Sequence, residues 1–438
     1  MGKKEIIPKV PKVVVVGAGF AGLRAVKHLA NAEVEILLID RHNYHTFIPL
    51  LYQVATGFIS PELIAYPLRS LLHNLKNVSF LMAEVTQIDL AAKTVVTDAQ
   101  AITYDYLVIA TGSRTNFLSV SGAPQQTFPL RTLSDAITLR NHIISCFEQA
   151  VRQNGEDISL LKQLMTFVIV GGGATGVEMA GALQELIHDC LIKDYPQLDL
   201  HQVKVILLQS GESLLNTYPE RLSKYTLRQL RDRGIKVHLN SKVKAASATE
   251  VVLADETSIA TSTIIWTAGV EASFPEPKEN LTTASKNKVE VLPTLQLPED
   301  AHVYVAGDAA YVEQNGKPLM GVAPEALQLG GAIAKNIKRQ LKGKTPTAFN
   351  YFNKGRAAIV ARNAGVAYLL GKIPVSGFFA WLLWLIIHIY YLPGLSNRCQ
   401  LLVAWLKDYI WGDRYLRQIF TTTKPNLTEP ILVEPTDS

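Results

Sequence analysis

The strongest constraint on the fold of this 438-residue chain is a pattern that occurs twice. An apolar run, KVVVVG at 12–17, enters Gly17-Ala18-Gly19-Phe20-Ala21-Gly22; a helix-spaced stretch, LRAVKHLA, follows; and a second apolar run, VEILLID at 34–40, ends on Asp40. Strands without polar alternation belong in a parallel sheet covered on both faces. Strand, glycine turn, helix and strand open a doubly wound sheet. The order returns 154 residues later as TFVIVGGGATG at 166–176, a predicted helix over 177–191 and VKVILLQSG at 203–211.

The glycines in such a turn let the backbone bend tightly, approach a pyrophosphate and pack a helix closely, while the helix N-terminus favours the negative charge. Asp40 stands where a carboxylate accepts from a ribose hydroxyl. Strand, helix and acid in register make the first motif a dinucleotide site, the alternative being a structural glycine turn. In the second motif Gly171, Gly173 and Gly176 hold the same places, with Ala174 and Thr175 between them. Its acid position is Gln209, which neither repels a 2′-phosphate nor bonds a ribose strongly. The choice between NADH and NADPH is therefore open, and Glu212 is the other candidate reader of the 2′ position.

Two further turns carry the same logic. The run YDYLVIATGS at 104–113 enters Thr111-Gly112, where backbone can approach a ligand, and VYVAGDAA at 303–310 places Gly307 and Asp308 just past a strand, ahead of a helical stretch over 321–341. Asp308 reads as a second contact to a flavin nucleotide or as a helix N-cap. Two dinucleotide domains in one chain imply bound FAD reduced by diffusible NADH or NADPH. The expected class is α/β, with two Rossmann-like dinucleotide-binding domains. Its parts are an FAD-binding domain at 9–130 and 290–350, an NAD(P)H-binding domain at 160–275 and a C-terminal membrane-associating helical region at 351–438.

Residues 326–407 hold 11 Lys or Arg and no acid, leaving 32 basic against 38 acidic residues elsewhere. Within this basic region Phe378–Leu392 is apolar except for His388, but as a helix it measures about 22 Å, short of a roughly 30 Å hydrocarbon core. A second helix is expected over Cys399–Ile419, with Arg398, Lys407, Arg414 and Arg417 among apolar positions. Trp381, Trp384, Trp405 and Trp411 crowd here, which suits an anionic bilayer surface. An in-plane anchor is expected ahead of a spanning helix or a buried core or dimer helix. Nucleic acid is not expected as a partner, because the tryptophans stand among aliphatics rather than among basic residues. Cys146, Cys190 and Cys399 are too scattered for a disulfide framework, a redox pair or a metal site. The basic start lacks the apolar core and cleavage site of a signal peptide, so the cytoplasmic face of a membrane is the expected location.

Taken in order, GAGFAG with Asp40, RHNYHTFIPLLYQVATG at 41–57, ATG at 110–112, GGGATGVEMAGAL at 171–183, TIIWTAGV at 263–270, VYVAGDAA at 303–310 and SGFFAWLLWLIIHIYYLPGLSNR at 376–398 resemble the type II, non-proton-pumping NAD(P)H:quinone dehydrogenases, cyanobacterial or plastid members above all. The resemblance implies a peripheral (monotopic) flavoprotein. It implies that Gly17 to Ala21, Asp40, Arg41 and Asp308 hold FAD, that Gly173 to Glu178 face NAD(P)H, and that Glu178 lies near the nicotinamide and the flavin ring. From the residues alone, Glu178 reads as a carboxylate in the first turn of a helix. Where the family shows AQxAxQ at the flavin end of its quinone tunnel, this chain has Ala323-Pro324-Glu325-Ala326-Leu327-Gln328. Gln328 is kept and Pro324 replaces the first Gln. The family's GR pair is Ala361-Arg362 here. The implied catalytic residues are Glu178 and Gln328, and the implied partners are a plastoquinone, ubiquinone or menaquinone-like quinone and the bilayer surface, with a homodimer left open. The rival readings are a soluble FAD-dependent reductase with another acceptor and a flavin-based redox sensor.

Overall fold

The computed structural model describes residues 10–153, 156–277, 282–412, 414 and 416–419. The basic N-terminus and the last residues of the expected 351–438 region lie outside the described residues. The chain opens with β1 (Lys12–Val16), α1 (Phe20–Leu29) and β2 (Glu35–Asp40), then α2 (Leu51–Ala55), β3 (Val78–Met82) and β4 (Tyr106–Ile109). A second series follows: β5 (Phe128–Pro129), α3 (Leu133–Gln153), β6 (Thr166–Val170), α4 (Ala174–Glu185), β7 (Lys204–Leu208), α5 (Glu220–Asp232), β8 (Lys236–His238) and β9 (Thr263–Trp266). The chain then supplies β10 (Val303–Val305) and α6 (Ala323–Gln340), and closes with β11 (Gly355–Ala361), β12 (Ala364–Leu369), β13 (Ile373–Gly377), α7 (Phe378–Tyr391) and α8 (Leu395–Trp411).

The repeat in sequence becomes a repeat in topology. One parallel sheet has the order β10-β4-β1-β2-β3 and the other β5-β9-β6-β7-β8. Val13 pairs with Ile36 and Tyr106 in the first, Phe167 with Val205 and Thr263 in the second. Val13, Val14 and Val15 are fully buried, as are Phe167, Val168 and Ile169, because helices or further sheets cover both faces. The chain crosses between the sheets twice, and the crossings pair as an antiparallel ribbon, Ser113 opposite Ala272 and Thr115 opposite Val270.

The expected α/β class with two Rossmann-like sheets and C-terminal helices is what forms. The three strands over 355–377 were not expected from the sequence. They make an antiparallel sheet, β11-β12-β13, from which α7 and α8 emerge. A Cβ on Gly181 of α4 would stand 1.9 Å from Val360 O, so only glycine lets α4 lie this close to β11. Arg414, fully buried, donates to Ala182 O at 2.9 Å and pairs with Glu185 at 2.9 Å and Asp408 at 3.2 Å, which ties the segment after α8 to α4. The expected helix over Cys399–Ile419 is displaced to Leu395–Trp411, and Arg414 serves the interior instead of a bilayer surface.

Candidate functional site

Both glycine motifs adopt one three-part geometry. Gly17 has φ +99° and Gly171 φ +111°, and a Cβ there would stand 2.3 Å from Ala110 O or 2.9 Å from Ala268 N. A Cβ on Gly22 or Gly176 would stand 1.8 Å from the carbonyl oxygen of Gly17 or Gly171. The middle glycines differ: nothing lies within 4 Å of where a Cβ on Gly19 or Gly173 would be. These two residues are also the N-caps of α1 and α4, and no side chain caps either helix. An open middle position beside uncapped N–H groups, with Ala18, Phe20 and Ala21 in one turn and Ala174 and Thr175 in the other, fits a pyrophosphate at each site.

The residues after the second strands brace these turns. Asp40 Oδ2 accepts from the Ala18 N–H at 2.7 Å and Oδ1 from the His42 N–H at 2.8 Å. Gln209 Oε1 accepts from the Gly172 N–H at 2.9 Å, and its Nε2 donates to Ser213 O at 3.2 Å. The amide thus holds the turn as the acid does in the first domain. Glu212 is exposed. Arg41 is exposed too, 3.9 Å from Glu84.

Around the first cradle, a Cβ on Gly307 would lie 3.5 Å from Ala21 Cβ and 3.8 Å from Ala326 Cβ, so the turn after β10 sits between the starts of α1 and α6. Asp308 is not a helix cap. Its Oδ2 accepts from Ser113 Oγ at 2.6 Å and Arg131 Nη2 at 2.8 Å, and Arg131 also donates to Ser113 Oγ. Arg131 carried no motif in the sequence, since it arrives from the segment between β5 and α3. Lys288, also unmarked, lines a small open cleft with Gly307, Asp308, Gly321 and Glu325. Burial lowers the pKa of its ammonium, and Asp308 opposes that shift. The Thr111-Gly112 turn is tethered to the returning chain: the Thr111 hydroxyl donates to Ser273 O, and Gly112 O accepts from the Ser273 N–H at 3.0 Å. At the start of α6, after Ala323, Glu325 accepts from the Gly321 N–H at 2.8 Å. Gln328 exchanges both amide bonds with the backbone of Phe352, each at 2.9 Å.

Glu178 lies in a different setting from the one its sequence position suggested. Helix α4 begins at Ala174, so Glu178 is in the second turn, and no acid occupies the first. Its carboxyl is buried, and Oε1 accepts from Trp384 Nε1 at 3.1 Å and from the Ile359 N–H at 3.3 Å. Burial pushes its pKa up to about 8, against these two bonds. Tyr52 of α2 and Tyr218, ahead of α5, have phenol pKa values raised by burial and by this carboxyl. The Trp384 ring stacks on His388 at 3.6 Å, and burial lowers that imidazole to about 4. Gln53 closes the shell: Oε1 accepts from Trp405 Nε1 at 2.9 Å, and Nε2 donates to Tyr52 OH at 3.1 Å. The RHNYHTFIPLLYQVATG segment, helix α4 and both C-terminal helices thus converge on one buried carboxyl whose acid form burial favours.

This convergence corrects the reading of the tryptophans. Trp384 is 0% and Trp405 7% exposed, so both serve the interior, while Trp411 is exposed. The outward faces carry Phe379, Ile386 and Tyr390 on α7 and Leu402, Leu406 and Ile410 on α8. Among the described residues no helix is long and apolar enough to cross a membrane, and no cluster of His, Cys, Asp or Glu is placed to hold a metal ion.

Residues 11–330 match the pyridine nucleotide-disulphide oxidoreductase family. The chain is 36% identical over 420 residues to the type II NADH:quinone oxidoreductase Ndh of Mycobacterium tuberculosis, covering 92% of this chain and 89% of that one. It is 30% identical over 376 residues to the type II NADH:quinone oxidoreductase of Staphylococcus aureus, with 84% and 91% covered. In fold it is similar to NDH2 from Plasmodium falciparum in complex with NADH, with a TM-score of 0.85, 18% identity and 94% and 100% covered. The sulfide:quinone oxidoreductase of Aquifex aeolicus gives 0.68 at 19% identity, with 92% and 96% covered.

Proposed function

The chain belongs to the type II NAD(P)H:quinone oxidoreductases, and from that premise we propose how its own residues carry the reaction. The protein oxidises NADH or NADPH and passes two electrons through bound FAD to a membrane quinone. FAD, when bound, supplies the redox chemistry, accepting hydride from the nicotinamide and reducing the quinone.

The chain's part is placement. Gly17 to Gly22 with Asp40, Arg41, Thr111, Gly112, Gly307, Asp308 and Ala323 hold FAD, and Arg131 and Lys288 add positive charge beside Asp308. Gly171 to Gly176 with Gln209 hold NAD(P)H. Glu178 holds or releases a proton where the second domain meets the C-terminal region, shielded from water by Tyr52, Tyr218 and Trp384. Gln328 keeps the chain near Phe352 against the start of α6. The outward apolar faces of α7 and α8 dock on the bilayer, which brings a lipid-soluble quinone to the side where Glu178 is buried.

The carrying observation is the pair of matched open cradles in one chain whose C-terminal helices show an apolar face outward and a carboxyl-binding face inward. The 11 Lys and Arg of 326–407 favour docking on an anionic cytoplasmic face. Placement among cyanobacterial or plastid members is part of this proposal, with a plastoquinone, ubiquinone or menaquinone-like acceptor, and sedimentation decides whether the enzyme is a homodimer. Steady-state turnover of the FAD-loaded protein with NADH and NADPH against plasto-, ubi- and menaquinones tests the assignment. Turnover with none of them would overturn it.

A further inference from the structure

The face that holds Glu178 comes from the C-terminal region, which the sequence marked first as an anchor. Both donors to Glu178 Oε1, the Trp384 indole and the Ile359 amide, lie beyond residue 354, on α7 and β11. Trp384 has no exposed surface, so its side chain contributes nothing to the outward apolar face. Its ring is fixed from three sides: His388 stacks at 3.6 Å, Trp405 lies at 5.8 Å and Tyr52 at 6.4 Å between centroids. Trp405 is in turn held by Gln53.

We propose that Trp384 is the positioning residue for Glu178, its indole N–H and the Ile359 amide together fixing one carboxyl oxygen, so that the bilayer-docking region also orients the active-site carboxyl. This rests on the reading of Glu178 given above. The remaining titratable or charged groups facing the carboxyl are Tyr52 from α2, Tyr218 with Arg356 5.2 Å over its ring, and, behind Trp384, His388; Glu185 and Arg414 act on Tyr52 from further along α4 and from the segment after α8. Tyr52, Tyr218 and His388 stay uncharged at neutral pH in these surroundings. The indole bond is therefore the side-chain donor that favours the ionised carboxyl, since a donor to a carboxylate stabilises its charged form. Removing that N–H leaves the acid form favoured over a wider pH range.

The test is infrared titration of the flavin-loaded protein, following the protonated-carboxyl C=O band that disappears in Glu178→Gln. Trp384→Phe removes the donor, and replacing Trp384 with its benzothienyl analogue removes the N–H while keeping the bicyclic shape. In both, the midpoint of that band should move up by about one pH unit, with liposome co-sedimentation unchanged. A midpoint that stays put in both variants, or shifts in Trp384→Phe and not in the isosteric analogue, overturns the proposal. Full quinone turnover in Glu178→Gln, with the midpoint shift intact, would instead sink the catalytic reading of Glu178 and leave the tuning by Trp384 standing.

Discussion

Replacing Phe379, Leu406 and Ile410 together with Ser removes the centre of the outward apolar surface without touching the inward one. The three are 75%, 58% and 56% exposed, which amounts to roughly two whole apolar side chains open to solvent. Trp381 of α7 and Tyr409 of α8 are 5.7 Å apart, which sets the start of α7 beside the end of α8 and joins these positions into one surface. At about 1.5–3 kcal/mol per fully buried side chain, and with only part of each ring or chain entering the interface, the loss is about 3 kcal/mol, or roughly a hundredfold in partitioning. Ala380, Trp384, Leu401 and Trp405 stay in place, so the FAD content and the rate of flavin reduction by NAD(P)H should hold. Liposomes containing anionic lipid and a long-tailed quinone provide the assay, with a short soluble quinone as control. Binding and long-tail turnover should fall together, and short-tail turnover should not. Unchanged co-sedimentation would refute the docking surface. Deleting the whole C-terminal region is a poorer experiment, because Trp384, Trp405 and Arg414 belong to the interior and their loss would disturb the Glu178 pocket.

Three further outcomes are expected. Gly19→Glu has room for its side chain in the protein, but places it and its charge in the open cradle, so the purified variant should be folded and colourless; a stoichiometrically yellow protein contradicts the placement. Gln209→Glu keeps an acceptor for the Gly172 N–H and adds a charge facing the ribose, which should favour NADH over NADPH by about tenfold, about 1.4 kcal/mol; an unchanged ratio of kcat/KM would point to Glu212. Glu178 keeps its proton up to about pH 8 when folded and releases it near 4.5 when unfolded, so the native state binds more protons between these values and the stability this group contributes is lost as pH rises through 8. Glu178→Gln abolishes that decline: its Tm relative to the native protein should rise between pH 5 and pH 8.5, by at most a few kcal/mol of stability, and a constant difference would show that the carboxyl is not held protonated.

The two parallel sheets were legible because their signal is local. Val13 to Val16 and Phe167 to Val170 are apolar without alternation, and each run ends on glycines whose spacing only a strand-to-helix turn explains. The donor sets were not legible, since they join distant parts of the chain. Arg131 reaches Asp308 across 177 residues and Trp384 reaches Glu178 across 206, and no spacing encodes either. The strands at 355–377 are short, hold Gly355, Gly365 and Gly377, and run straight into an aromatic helix that dominates the pattern. The tryptophans misled for a related reason: composition counts them, but the contacts of α2 and α4 with α7 and α8 decide which face inward. Gln209 looked like a lost acid, because its brace to Gly172 is visible only once the turn is folded.

Anaerobic stopped-flow absorbance of the flavin-loaded protein on quinone-containing liposomes shows whether one chain carries electrons from a nicotinamide through FAD to a quinone held in a membrane. NADH or NADPH added alone to the protein should bleach the flavin with no other protein present. Mixing that reduced protein with the liposomes should restore the colour, one quinol appearing for each nicotinamide oxidised. A flavin that neither nucleotide bleaches, or one that stays reduced in the presence of membrane quinone and recovers only with a different acceptor, would mean that the protein is not a quinone reductase.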